Sequence, residues 1–158
     1  MAVDYFLKLD GIAGESTDSK HKGEIELSSW SWGETNAGAS SAGAGGGKVA
    51  IQDFNFTFKT NLASPNLMLA CASGQHIVKA TLTCRKAGGT QEEYLVINLQ
   101  DCLVSSFSPG GTANGSPKVD DRPVESMSLN FTKIEWIYDS AITGQIIDVS
   151  FDFTPQTP

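Results

Sequence analysis

Three alternating runs in this chain change face partway along. Ile25 and Leu27 share one parity while Trp30 and Trp32 share the other. Ile51 and the run Phe54, Phe56, Phe58 differ in the same way, as do Met127, Leu129 and Phe131 against Ile134, Trp136 and Tyr138. Side chains alternate along a strand, so a change of parity demands an extra residue, a bulge that bends the strand. Three such bends predict a sheet that closes on itself rather than an open one. Plainer alternation marks Val3 to Leu9, Val78 to Cys84, and Leu95, Ile97, Leu99 and Leu103 after a turn at Ala87–Thr90. The last strand carries Ile147, Val149, Phe151 and Phe153, with Asp148, Ser150 and Asp152 on the opposite face. The expected fold is mainly β: a small closed β-barrel of about eight strands with one short α-helix and a long extended loop. It forms a single domain over 1–158, long enough to bury a substantial core.

The helix is expected between Ser64 and Gly74. Ser64 reads as its N-cap, Pro65 occupies the first turn where a missing donor costs nothing, and Gly74 supplies a left-handed stop. Leu67, Met68, Leu69, Ala70, Cys71 and Ala72 leave this helix without a polar face. A helix apolar all round is buried on more than one side, so it either fills an assembly contact or closes a barrel wall.

Two long loops interrupt the strands: Asn36–Lys48, built of Gly, Ala and Ser, and Ser108–Pro123, rich in Gly, Pro, Asn and Asp. Loops beyond about 12 residues are commonly functional; here they suggest surfaces ordered against a partner. A net charge of −7 offers phosphates no basic footprint, which argues against nucleic acid. No apolar run reaches the ~20 residues that span a bilayer, and the start Met1-Ala2-Val3-Asp4-Tyr5 does not resemble a conventional signal peptide.

Catalytic patterns are weak. Gly43–Lys48 superficially suggests a phosphate loop, but Ala42 stands where glycine is required and Val49 where a hydroxyl must follow the lysine. His21 and His76 accompany no Gly-x-Ser-x-Gly elbow and read as surface or hydrogen-bonded histidines. Cys71, Cys84 and Cys102 have no CxxC spacing and read as small buried apolar residues; no metal or cofactor is expected. Glu92-Glu93 and Asp120-Asp121 read as solvated charge, and three glycosylation-like triplets at Asn55, Asn114 and Asn130 as chance. Trp30 and Trp32 are expected in the core, which turns Ser31, between them, to the opposite face. The chain is not expected to be an enzyme.

The order Glu15-Ser16, Asp18, His21, Glu24-Ile25, Trp30-Ser31-Trp32-Gly33, Gln52-Asp53-Phe54, Ser64–Cys71, Gly74, His76-Ile77, Leu82-Thr83, Arg85–Gly88, Glu93–Leu95, Val104–Ser106 and Leu129–Phe131 closely resembles Hcp, the haemolysin co-regulated protein family. Hcp proteins form the inner tube of type VI secretion systems. The resemblance implies a β-barrel with a flanking helix, assembled as a homohexamer whose rings stack into a tube. It further implies a spike protein at the tip, a contractile sheath and effector proteins in the lumen as partners. The subunit is then expected in the cytoplasm before firing and outside the cell afterwards, with no membrane insertion and, ending at Pro158, no fused toxin domain. On that basis Asn36, Gly38, Ala39, Ser40, Ser41, Gly43, Gly45, Gly46, Gly47 and Lys48 are expected to form a ring-stacking loop. Leu67, Met68 and Leu69 are expected at the subunit interface, and Ser31 is a candidate for lining the lumen and touching cargo. The alternatives are a phage-type tail tube protein and a monomeric β-barrel that binds a ligand or carbohydrate.

Overall fold

The computed structural model describes residues 2–36, 49–111, 113 and 122–153. Of the expected stacking loop, Gly38, Ala39, Ser40, Ser41, Gly43, Gly45, Gly46, Gly47 and Lys48 lie outside the described residues, as does most of the second loop. In chain order the elements are β1 (Val3–Leu9), β2 (Ile25–Leu27), β3 (Ser29–Ser31), β4 (Glu34–Asn36), β5 (Val49–Ile51), β6 (Phe54–Lys59), α1 (Ser64–Ser73), β7 (Ile77–Lys86), β8 (Glu93–Ser108), β9 (Val124–Asn130), β10 (Lys133–Asp139) and β11 (Ile146–Asp152).

The main sheet runs β2-β1-β7-β8-β9-β6-β3, antiparallel throughout. Its two ends, β2 and β3, are separated in the chain by Ser28 alone, whose N–H donates to the Thr57 carbonyl at 2.7 Å. The stretch 25–31 therefore pairs with β1 through its first half and with β6 through its second, and the wall closes through it. The parity change near Ser28 is therefore a bend between two strands with different partners rather than the bulge expected within one strand.

The other two parity changes have a different cause. Between Ile51 and Phe54 the chain leaves the β4–β5 hairpin and enters the wall. Between Leu129 and Ile134 it moves along β8: β9 pairs with Leu103–Ser108, whereas β10 pairs with Leu95–Gln100. From there β9 continues to β6 and β10 to β11, so the sheet forks. These crossings, with the division of 25–31 into β2 and β3, raise the count to eleven strands among the described residues, against about eight expected. Within β8, Asp101 adopts φ 54°, a left-handed conformation rare outside glycine and asparagine-like residues. It shifts the alternation, so Cys102 and Val104 point inward and Leu103, expected inside, is thrown outward.

The core fills the barrel. Phe54, Phe56 and Phe58 alternate along β6 with no exposed surface, joined by Leu7, Leu82, Ile97, Leu99, Met127 and Leu129 from the surrounding wall. Helix α1 packs against β8. It begins one residue before the expected point: Ala63 is the N-cap residue, with no side-chain cap of its own. The Asn61 side chain accepts from the Ala63 N–H at 2.9 Å. Ser64 lies inside the first turn and donates instead to Glu125 Oε1 at 2.6 Å, because Glu125 is buried beneath it and has few other donors. Gly74 stops the helix at φ 67°, as expected.

Candidate assembly surfaces

Residues 10–24, between β1 and β2, form a strap without strand or helix, held down at both ends of its length. Gly14 is required where the strap doubles back: a side chain there would sit 2.6 Å from the Glu24 carbonyl. Arg85, on the outer face of β7 and 2% exposed, donates to both Asp18 oxygens at 2.8 and 3.0 Å and to Asp4 at 3.0 Å. These bonds from Arg85 lower the Asp18 pKa to about 2. The guanidinium also lies 4.8 Å over the Phe6 ring, on which His21 stacks at 4.4 Å. His21 is buried, with Nδ1 3.0 Å from Glu24 and Nε2 2.8 Å from Glu93. The histidine is thus hydrogen-bonded, as expected, and Glu93 is its partner rather than free solvated charge.

Ser31 belongs to a surface that single-strand reasoning did not find. Across β3, β6, β9 and β8 the register places Ser31, Asn55, Ser128 and Ser106 in one row and Ser29, Thr57, Ser126 and Ser108 in the next. Directly opposed residues share a face, so these two rows are small, polar and uncharged, bordered by Asp53, which accepts from Ser105 and Asn130, and by Lys59 in the row beyond Thr57. Hydroxyls satisfy each other across it: Ser29 to Thr57 at 2.6 Å, and Ser128 to Ser106 and Ser105 at 2.6 and 2.7 Å. Trp30 and Trp32 turn the other way and pack against the core, stacking on Phe54 at 5.7 Å each. The signal in the sequence was the alternation of serines with Met127 and Leu129; which strands lie beside one another was not readable there.

Helix α1 divides its apolar residues. Leu67 and Ala70 are fully buried in the chain's own core, so Leu67 is not available to another subunit and the expectation for it is corrected. The helical spacing that turns positions 67 and 70 inward turns Met68 and Leu69 outward, and these are 53% and 56% exposed.

The second apolar surface is the wing, β10 and β11. Register pairs Ile134 with Phe151, Trp136 with Val149 and Tyr138 with Ile147, so Ile147, Val149 and Phe151 lie on the core-facing side. The barrel closes through β9 instead, and these three stay about half exposed. Beneath them opens a hollow of about 700 Å³ between the wing and the β4–β5 hairpin. Its lining includes Trp32, Trp136, Val149, Phe151 and Phe153, together with the exposed Glu34. Asn36, from the expected stacking loop, pairs with Val49 at the end of that hairpin, so the segment 37–48 springs from a paired stem.

Cys84 and Cys102 are buried, and burial pushes both thiols up to about 12, far from the thiolate a nucleophile requires. Among the described residues no group of three or more His, Cys, Asp or Glu could hold a metal ion, and no helix is long and apolar enough to cross a membrane.

A family model described as type VI secretion system effector, Hcp, matches residues 6–138. The chain belongs to the Hcp family. It is 52% identical over 141 residues to protein hcp1 of Pseudomonas aeruginosa, covering 87% of this chain and 84% of that protein. Among solved structures, Hcp1 from Salmonella typhimurium is 40% identical, with a TM-score of 0.81 over 97% of this chain and 96% of that one. A type VI secretion system effector from Yersinia pestis is 32% identical, with a TM-score of 0.74 over 94% and 99%. Hcp proteins are structural, secreted components of the type VI secretion system, and the tube component is what this family membership supports. The mainly β architecture with one helix is likewise that of the Hcp structures.

Proposed function

We propose that this Hcp chain is a tube subunit: six copies close into a ring, rings stack, and effector proteins travel in the lumen behind a spike and within a contractile sheath. The observation that carries this reading is the wing, where residues with core register stand half exposed in the single chain. Large apolar patches on a soluble domain mark interaction sites. The serine rows around Ser31 suit a lumen wall: neutral, short side chains leave the bore wide and hold a passing protein by hydrogen bonds rather than by strong charge. The segment Asn36–Lys48, on its β4–β5 stem, is assigned to contact between successive rings. The subunit is made in the cytoplasm and leaves the cell when the tube is fired.

Light scattering on the purified chain tests the ring. A mass near six times 16.8 kDa supports it. A mass near 16.8 kDa at every concentration favours the alternative of a monomeric binding module, for which the tryptophan-lined hollow is the supporting feature. Deleting Ala39–Gly46 tests the stacking assignment: native mass spectrometry should still record hexamers while export of the protein is lost. Unimpaired export would refute that role for the loop.

A further inference from the structure

Exposed large apolar side chains stand singly at Leu62, Val78, Val124 and Ile142, and as groups on the ridge of α1, at Met68 and Leu69, and along β11 with its hollow. The two differ in shape and in what covers their reverse sides. The ridge is convex, and its other face, Leu67 and Ala70, is locked into the core of its own barrel. It therefore cannot swing into the hollow of the same chain. The hollow is concave and bounded by Trp136, Val149, Phe151 and Phe153, residues that a folded chain ordinarily covers. Electrostatics match as well. No charged residue lies between Ser64 and Ser73, and the described lining of the hollow has a single carboxylate, that of Glu34, which is solvent-exposed. Placing a charged helix there would strand that charge in an apolar site; α1 brings none.

We propose that the α1 ridge of one copy seats in the hollow under β11 of the next. This rests on the ring reading and specifies its joint. Because ridge and hollow are different surfaces, the contact is head-to-tail, the class of interface that generates a closed ring when its rotation suits. A symmetric pair, ridge on ridge, would leave both hollows open and stop at two copies.

Cysteine pairs test this. In a Cys71→Ser background, Met68→Cys and Val149→Cys are combined and treated with a short bis-maleimide. Both positions are more than half exposed in the single chain, so neither substitution disturbs its core. The expected result is a ladder on a denaturing gel at successive multiples of 16.8 kDa, with neither single-cysteine variant linking copies. Light scattering on the same sample separates the two readings. A ring-sized particle with no ladder and both introduced thiols reactive overturns the proposed joint and leaves the ring standing. A ring-sized particle with no ladder and an unreactive thiol at position 149 means that other residues of the chain fill the hollow, which also overturns it. Links to dimer from either single-cysteine variant would establish a symmetric contact instead. A lone 16.8 kDa species removes the ring itself.

Discussion

Strand β6 and strand β11 carry the same kind of sequence and meet opposite fates. Phe54, Phe56 and Phe58 alternate with polar residues and have no exposed surface; Ile147, Val149 and Phe151 alternate with Asp148, Ser150 and Asp152 and are about half exposed. Both rows point to the side on which the core lies. The difference is what stands opposite. For β6 it is the rest of a closed wall, and for β11, beyond the fork in the sheet, it is the open hollow. Alternation thus states which side of a strand is apolar, and only topology states whether anything covers it.

That contrast can be broken by experiment. Phe56→Ala should cost about 3–5 kcal/mol in chemical denaturation, the range for emptying a packed aromatic site. Phe151→Ala should cost the isolated chain only about 1 kcal/mol, chiefly its edge-to-face contact with Phe153. Equal losses would mean that β11 is as enclosed as β6. Next in size, Met68→Asp and Phe151→Asp should each leave a chain with native circular dichroism that no longer gives the ring mass by light scattering. The sequence alone left open whether a charge at Met68 breaks ring or fold; its exposure spares the fold, and in the proposed ring the effect falls on assembly.

Smaller effects separate the strap from the wing electrostatically. Arg85 holds the Asp18 pKa below its ordinary value, so the stability from this pair is complete above about 4 and is lost as pH falls toward about 2. Asp18→Asn should be less stable than the parent at neutral pH and should converge with it in thermal melts as acid is added. On the wing the sign reverses. Asp148 is raised because it shares a hydrogen bond and like charge with Glu135. An acid with a raised folded pKa destabilises once it is ionised, so Asp148→Asn should slightly raise the melting temperature at neutral pH, and the gain should fade on acidification. A fall in melting temperature at neutral pH would show that the carboxylate makes a favourable contact instead.

Much of the architecture was legible because local rules dictated it. The change of face at Ser28, the helix stop at Gly74 and the inward turn of Trp30 and Trp32 each follow from spacing within a few residues. The helix start was displaced because Ser64 has a better partner in Glu125, 61 residues away, than in its own first turn. Leu103 was misplaced because one left-handed residue, Asp101, resets the parity of β8. Of the candidate surfaces, the exposure of Met68 and Leu69 needed the helix phase relative to the barrel. The serine rows needed four strands drawn from distant parts of the chain.

By itself the amino-acid order determined the periodicities, the single apolar helix, the neutral glycine-rich insertion and the family to which the chain belongs. These are properties of neighbours along the backbone, where side-chain direction repeats every two or 3.6 residues. The tertiary structure alone decided that Leu67 is inside while Met68 is outside, that Ser31, Asn55, Ser128 and Ser106 stand in one row, and that β11 overhangs a hollow that the described residues do not fill. Each of those depends on which distant segments become neighbours, and pairing across a sheet is chosen by the whole core at once rather than by any local run of residues.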